Sequence, residues 1–354
     1  MSEIVRAALA GVVEGKTLSL DEAHGAMGAV MDGEATPSQL AALLVALRMR
    51  GETVEELAGF ARAMRERVLP VKAPEGAIDT CGTGGDGSNT FNISTAAALI
   101  VASTGVPVAK HGNRAMSSKC GSADVLEALG VATDLDPKEA GEALAVDSFA
   151  FLFAQAYHPA MKHAGPTRRE IGIRTAFNLL GPLTNPAGAK RQLLGVGAPA
   201  VAPKLAEVLR LLGVERALVV HGAGLDELPL DGSGVMYDVT PAGVARREVV
   251  ARDLGLVEAP TSALRGGTVE ENAAAIEAIL GGVEGPGRDV VLLNAAAAFV
   301  AAGRATDLRE GIDAAASAIA CGGATALLQR LRAAKEARDA AKAAATSGAV
   351  GTPA

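Results

Sequence analysis

The stretch from Ile78 to Arg114 constrains the fold more than any other part of the chain. A short apolar run, Ile78 to Cys81, meets the glycine-rich loop Gly82-Thr83-Gly84-Gly85-Asp86-Gly87. An alanine-rich helix follows from about Ser94 to Thr104, stops at Gly105, and leads into a second apolar run, Val106 to Ala109, that ends at Lys110. Strand, loop, helix, strand is the repeat of parallel βαβ construction, and it predicts an α/β fold with a mostly parallel central sheet. Phe149 to Phe153, Gln192 to Val196 and Ala217 to Val220 are further strand candidates, and Thr268 with Glu271 caps a later helix.

The chain before Ile78 reads differently. Three capping boxes, Ser19 with Glu22, Thr36 with Gln39 and Thr53 with Glu56, each open a helix, because the hydroxyl and the acid or amide three places on satisfy each other's backbone N–H groups. Leu40, Leu43, Leu44 and Leu47 fall on one helical face, and Gly51 supplies a stop. A small all-helical domain therefore precedes the larger α/β domain, with the Pro-containing segment Leu69 to Gly76 between them. The last residues, AAKAAATSGAVGTPA, read as a frayed tail.

The glycine loop matches GxGxxG, yet a dinucleotide fold is disfavoured. SNTFN separates the loop from its helix, and the second strand ends in Lys110-His111-Gly112-Asn113-Arg114, a positive end suited to phosphate and not to a ribose diol. No Gly-Lys-Ser/Thr closes the loop, so it is not a Walker A sequence either. What remains is a glycine backbone open to close approach by an anion, followed by Asn92 and Ser94 at a helix N-terminus, where free amides and the helix dipole favour phosphate. Lys110 and Arg114, then Ser117, Ser118 and Ser122, add charge and hydroxyls at the neighbouring strand end. A ligand with two phosphate-bearing ends would use both places.

A net charge of −7 makes local positive charge the only route to an anionic ligand and argues against a nucleic-acid partner. The three cysteines, Cys81, Cys120 and Cys321, have no CxxC spacing and suit a reducing compartment. The N-terminus lacks the pattern of a signal peptide, and no apolar run approaches a membrane span, so the expectation is a cytoplasmic protein without a membrane partner.

Four long motifs, in order, resemble the anthranilate phosphoribosyltransferase family: DTCGTGGDGSNTFNISTAAA at 79–98, KHGNRAMSSKCGSADVLEALG at 110–130, HPAMKHAGPTRREIGIRTAFNLLGPLTNP at 158–186 and HGAGLDE at 221–227. The resemblance implies a nucleoside phosphorylase-like phosphoribosyltransferase fold. It assigns 1–71 to the helical domain, completed by a returning segment at about 165–190. It assigns 72–164 and 191–340 to the α/β domain, 341–354 to a flexible tail, and pairing of two copies through the helical domain. It implies transfer of a phosphoribosyl group from phosphoribosyl pyrophosphate to anthranilate in tryptophan synthesis, with Mg2+ as cofactor.

Carried over by position, the phosphoribosyl pyrophosphate contacts are Gly82, Gly85, Asp86, Thr90, Asn92, Ile93, Ser94, Thr95, Lys110, His111, Gly112, Asn113, Arg114, Ala115, Met116, Ser117, Ser118 and Ser122. The anthranilate contacts are Gly82, Asn113 and Arg168, and the metal ligands are Ser94, Asp226 and Glu227. The chemistry suits these types. Magnesium bound mostly through phosphates and water needs one or two protein carboxylates, and a guanidinium matches the carboxylate of anthranilate in two parallel hydrogen bonds. Adjacent helical residues point about 100° apart, so one of Arg168 and Arg169 faces the pocket, and the resemblance selects Arg168. No side chain reads as a dedicated catalytic nucleophile, and neither His111 nor His158 is assigned a chemical role. Leu228-Pro229-Leu230-Asp231, after the acidic pair, departs from the familiar pattern. A pyrimidine-nucleoside phosphorylase and a non-catalytic nucleic-acid-binding paralogue are the competing readings, which the HGNR and RRE motifs and the acidic balance oppose.

Overall fold

The structure, a computed structural model, describes residues 1–115 and 119–349. Four helices begin the chain: α1 (Glu3–Val13), α2 (Leu20–Met31), α3 (Pro37–Arg50) and α4 (Val54–Arg65). All three expected capping boxes are formed, on α2, α3 and α4. Leu40, Leu43, Leu44 and Leu47 of α3 are all buried, which stabilises the helix by about 2 kcal/mol per side chain. The buried Glu56 is fully engaged: its carboxylate accepts from Leu18 N and Thr53 N, both at 2.8 Å, and pairs with Arg50.

A single seven-stranded sheet follows, with strands β1 (Ile78–Gly82), β2 (Val108–Gly112), β3 (Phe149–Phe153), β4 (Arg191–Gly195), β5 (Arg216–Gly222), β6 (Ser233–Thr240) and β7 (Gly243–Val250), in the order β3-β2-β1-β4-β5-β6-β7. The first five are parallel, and β6 and β7 add an antiparallel hairpin at one edge. The mostly parallel sheet expected from the sequence is therefore present. The hairpin was not anticipated: its outer strand is largely exposed and polar, so it lacks the apolar run that marks the other strands. From β1 the chain goes outward to β2 and β3 and then returns to the other side at β4. That reversal opens a crevice at the carboxyl ends of β1 and β4.

One boundary needs correction. The second strand is Val108–Gly112 and not Val106–Ala109, because Pro107 cannot donate to the ladder, while Lys110, His111 and Gly112 pair with Phe151, Leu152 and Phe153 of β3. Lys110 is thus an in-strand residue, only 2% exposed.

The helix α5 (Ile93–Ser103) after the glycine loop is buried nearly all round, and it packs with the equally apolar helix Pro286–Ala301 on one face of the sheet. The opposite face continues into the core of α1–α4 through Leu194, Val196 and Val219, joined by Ala164, Phe177, Leu180 and Leu183 of the segment that returns from the α/β part. The last helix, Gly323–Ala349, runs on through residues 341–349, which read as a frayed tail; their alanine content favours helix. Among the described residues no single helix is long and apolar enough to cross a membrane.

Candidate active site

The crevice is built by glycines at strand ends. Gly82 closes β1 and pairs with Gly195, which closes β4. A Cβ on Gly82 would collide with the Asp226 carboxylate, and one on Gly195 with the Asp226 carbonyl oxygen. Both strands must therefore end in glycine for the loop after β5 to lie across them. That loop carries Asp226 and Glu227, and Ala223 within it adopts the left-handed φ of 49°.

The two carboxylates sit where the sequence suggested that an anion would bind. Asp226 Oδ2 accepts the N–H of Gly84 at 2.9 Å, in the glycine loop. The Glu227 carboxyl lies beside the backbone N–H of Ser94, in the first turn of α5, which favours its charged form. Asp86 joins them: its carboxylate accepts from Ser88 N at 3.1 Å, from Ser88 Oγ at 2.7 Å and from Asp226 N at 3.4 Å. Burial and then the neighbouring Asp86 push the Asp226 carboxyl up to about 6. Burial, then Asp226, holds Glu227 well above the usual carboxylate range, with Lys110 opposing. Lys110 lies beneath, donating to Thr80 O and to Ser94 Oγ, the latter at 3.3 Å. Desolvation lowers its own pKa, and Asp79 offsets part of that.

A raised proton affinity in two adjacent acids, Asp226 half-buried and Glu227 buried, marks a place short of positive charge. Among the described residues, no three His, Cys, Asp or Glu side chains converge into a complete metal cage. A site with one or two protein carboxylates fits magnesium, which keeps waters and takes phosphate oxygens, better than an ion needing an all-protein shell.

The other expected contacts divide into three kinds. Gly85 and Gly84 hold left-handed φ values of 70° and 60° in an exposed turn, and Thr90 bridges to Arg265. Asn92 stands at the N-cap position of α5 without a capping side-chain bond; its side chain instead donates to Cys120 O at 3.2 Å and accepts from Asn272 Nδ2 at 3.2 Å. Ile93 and Thr95 have side chains sealed in the core, so only their backbones can face a ligand. Gly112 is approached closely by Ser122, whose hydroxyl donates to Asn113 O at 3.3 Å. The Asn113 side chain accepts from Arg114 N at 2.8 Å, and Ala115 N donates to Asp124 at 3.0 Å. Arg114 itself turns to Asp124 and Glu127, so its charge is already neutralised here. Met116, Ser117 and Ser118 lie outside the described residues.

The returning segment forms the opposite wall. His111 Nδ1 donates to Gly181 O at 3.1 Å, and Asn185 Nδ2 to Ala109 O at 2.8 Å, which fastens the wall to β2. His111 Nε2 is consequently unprotonated, and His158 Nε2 lies 3.2 Å from it. Burial depresses His111 to about 3 and His158 to about 4, so both rings are neutral. In the helix Gly165–Ile171, Arg168 is half-buried and lies over the Phe177 ring at 4.8 Å, while Arg169 is exposed. No hydrogen bond or acid partner engages the Arg168 guanidinium among the described residues, and burial lowers its pKa.

Two residues at the site escaped the sequence reading. Asn294 accepts from Leu228 N at 2.9 Å and donates to Leu228 O at 3.0 Å, anchoring the unfamiliar Leu228–Asp231 loop beneath the acidic pair. A lone amide inside the run VVLLNAAAAFV was the available signal. Arg174 donates to the Gly84 carbonyl, and nothing in the local sequence marked it.

Residues 6–68 match the glycosyl transferase family, helical bundle domain, and residues 74–325 match the glycosyl transferase family, a/b domain. The anthranilate phosphoribosyltransferase of Thermomicrobium roseum is 54% identical over 316 residues, 88% of this chain and 91% of that one. The Roseiflexus sp. enzyme of the same name is 56% identical over 311 residues, 87% of this chain and 91% of that one. Among solved structures, anthranilate phosphoribosyltransferase from Thermus thermophilus superposes with a TM-score of 0.88 at 48% identity, covering 93% of this chain and 99% of that one. The Saccharomyces cerevisiae enzyme in complex with PRPP (phosphoribosyl pyrophosphate) and Mg gives 0.87 at 26% identity, covering 95% and 99%. The glycine loop, the acidic pair and the helical bundle thus stand in a chain that belongs to the anthranilate phosphoribosyltransferase family.

Proposed function

We propose that the crevice at the carboxyl ends of β1, β2, β4 and β5 is where this enzyme transfers the 5-phosphoribosyl group from phosphoribosyl pyrophosphate to the amine of anthranilate. The products are N-(5-phosphoribosyl)anthranilate and pyrophosphate, in tryptophan biosynthesis. The observation that carries the reading is the pair of half-buried Asp226 and buried Glu227, set against the glycine loop and the first turn of α5, together with a half-buried Arg168 that has no acid partner among the described residues.

The glycine loop and the first turn of α5 bind the polyanion through Gly82, Gly85 and the Ser94 region, with Lys110 beneath as fixed positive charge. Ser94, Asp226 and Glu227 would hold Mg2+, which when bound supplies Lewis-acid stabilisation to the leaving pyrophosphate. Arg168 orients anthranilate by its carboxylate, and Asn113 and Gly82 line the path between the two substrates. The C1–O bond to pyrophosphate breaks with its electron pair on the leaving oxygen, the amine forms the C1–N bond, and the nitrogen gives up one proton. No side chain attacks the sugar; the chain's own contribution is orientation and electrostatic stabilisation.

The reading includes the division into a helical domain, 1–71 with about 165–190, and an α/β domain, 72–164 with 191–340. It also includes a cytoplasmic homodimer. Exposed Ile4 and Val13 on α1 and Met49 at the end of α3 support pairing through the helical side. Anthranilate fluorescence tests the reaction: it should decay only with both phosphoribosyl pyrophosphate and magnesium present. Phosphate-dependent cleavage of a pyrimidine nucleoside instead would overturn it.

A further inference from the structure

The Gly84–Gly85 turn is gripped from two sides. On the inner side the Gly84 N–H is held by Asp226. On the outer side the guanidinium of Arg174, from the returning segment between the helices Gly165–Ile171 and Phe177–Leu180, donates to the Gly84 carbonyl through both Nη atoms at 3.4 and 3.3 Å. A Cβ on Gly85 would overlap Arg174 Nη1, so the loop leaves open the volume that this guanidinium fills. Among the described residues Arg174 has no ion-pair partner, and its side-chain hydrogen bonds go to this carbonyl. These contacts are long and the guanidinium is exposed, so they hold the turn lightly and leave the net positive charge of Arg174 in place.

Gly84 and Gly85 both lie at left-handed φ, where glycine interconverts at little cost, so the turn needs an external hold to keep one orientation. Asp226 cannot be that hold throughout the cycle if it also serves the metal. We propose that Arg174 is a positioning residue of the reaction: from the wall that carries Arg168 it fixes the phosphate loop, and its unneutralised charge adds to the field that the pyrophosphate group meets. This rests on the assignment of the loop to phosphoribosyl pyrophosphate.

The test uses the full-length Arg174→Gln and Arg174→Lys variants beside Arg168→Gln. Steady-state kinetics with each substrate varied, and amide hydrogen exchange over residues 82–90 with and without phosphoribosyl pyrophosphate and magnesium, are the readouts. Arg174→Gln should raise KM for phosphoribosyl pyrophosphate about tenfold, leave KM for anthranilate within twofold, and speed exchange in the loop even without ligand. Arg174→Lys should recover part of both effects, and Arg168→Gln should move only the anthranilate KM. Unchanged loop exchange with unchanged KM for phosphoribosyl pyrophosphate overturns the proposal, as does a rise confined to the anthranilate KM. Failure of the underlying assignment would look different: the wild-type protein itself would not consume anthranilate.

Discussion

Gly195→Ala is the smallest change that should disable this site without touching a charged group. Gly195 ends β4 between Gly82 of β1 and Val220 of β5, and its carbonyl accepts the N–H of Thr83 at 2.9 Å. It has no positive φ, so alanine meets no backbone strain; the conflict is with the Asp226 carbonyl group, oxygen and carbon, and more mildly with its Cβ. Backbone oxygen cannot rotate away as a side-chain tip can, so the two segments must part by more than about 1 Å in a close-packed site. Overpacking of this kind costs about 1–3 kcal/mol of stability. Displacing the acidic pair by about 1 Å should lower kcat/KM about 100-fold.

The assay is anthranilate consumption across a magnesium titration, with thermal denaturation in parallel. Gly11→Ala serves as a control, because the nearest atom to its Cβ is Lys16 Cβ at 4.0 Å and it lies inside α1. That substitution should be neutral or stabilise by up to about 1 kcal/mol. A folded Gly195→Ala enzyme with turnover within threefold of wild type and an unchanged magnesium titration would refute the placement of Asp226.

Three further outcomes follow from the same geometry. Arg168→Gln should raise the anthranilate KM at least tenfold, through loss of a charge-assisted bidentate contact, and leave phosphoribosyl pyrophosphate use within about twofold, as read from initial rates. Asp226 has a folded pKa raised from 3.8 to about 6, so its contribution to stability is fully present below about pH 4 and is lost as pH rises through about 6. Without magnesium, Asp226→Asn should therefore melt above wild type at pH 8, by at most about 3 kcal/mol, and the gap should close toward pH 4. Asn294→Ala removes two buried hydrogen bonds from the Leu228 backbone and should destabilise by about 2–4 kcal/mol in chemical denaturation while weakening the response to magnesium.

Much of this architecture was legible because local signals and tertiary burial agree. The capping boxes at Ser19, Thr36 and Thr53 state where helices begin, and the Leu40–Leu47 stripe states which face is buried. The glycine loop and the Lys110 strand end pointed to an anion site because each lies in a βα connection of a parallel sheet. What the sequence could not convey is which side chains meet across the site. Asp226 and Glu227 reach the Gly84 and Ser94 amides from more than 130 residues away in the chain, and no local pattern encodes that approach. The same limit hid Arg174 and Asn294, whose partners are set by tertiary packing. It also hid the neutralised state of Arg114, since the Asp124 and Glu127 that claim it are spaced like ordinary helix-surface acids. The β6–β7 hairpin escaped for a different reason: an edge ribbon with one polar face carries no apolar run to find.

Asp226 and Glu227, set against the glycine loop and the first turn of α5, are the groups through which magnesium should act on phosphoribosyl pyrophosphate. Calorimetric titration of phosphoribosyl pyrophosphate into wild type and into Asp226→Asn/Glu227→Gln, each with and without magnesium, tests it most directly. Magnesium should strongly tighten binding to the wild type and have little effect on the double variant, which has lost the carboxylates that would hold the metal. An identical dependence on magnesium in both proteins would contradict it.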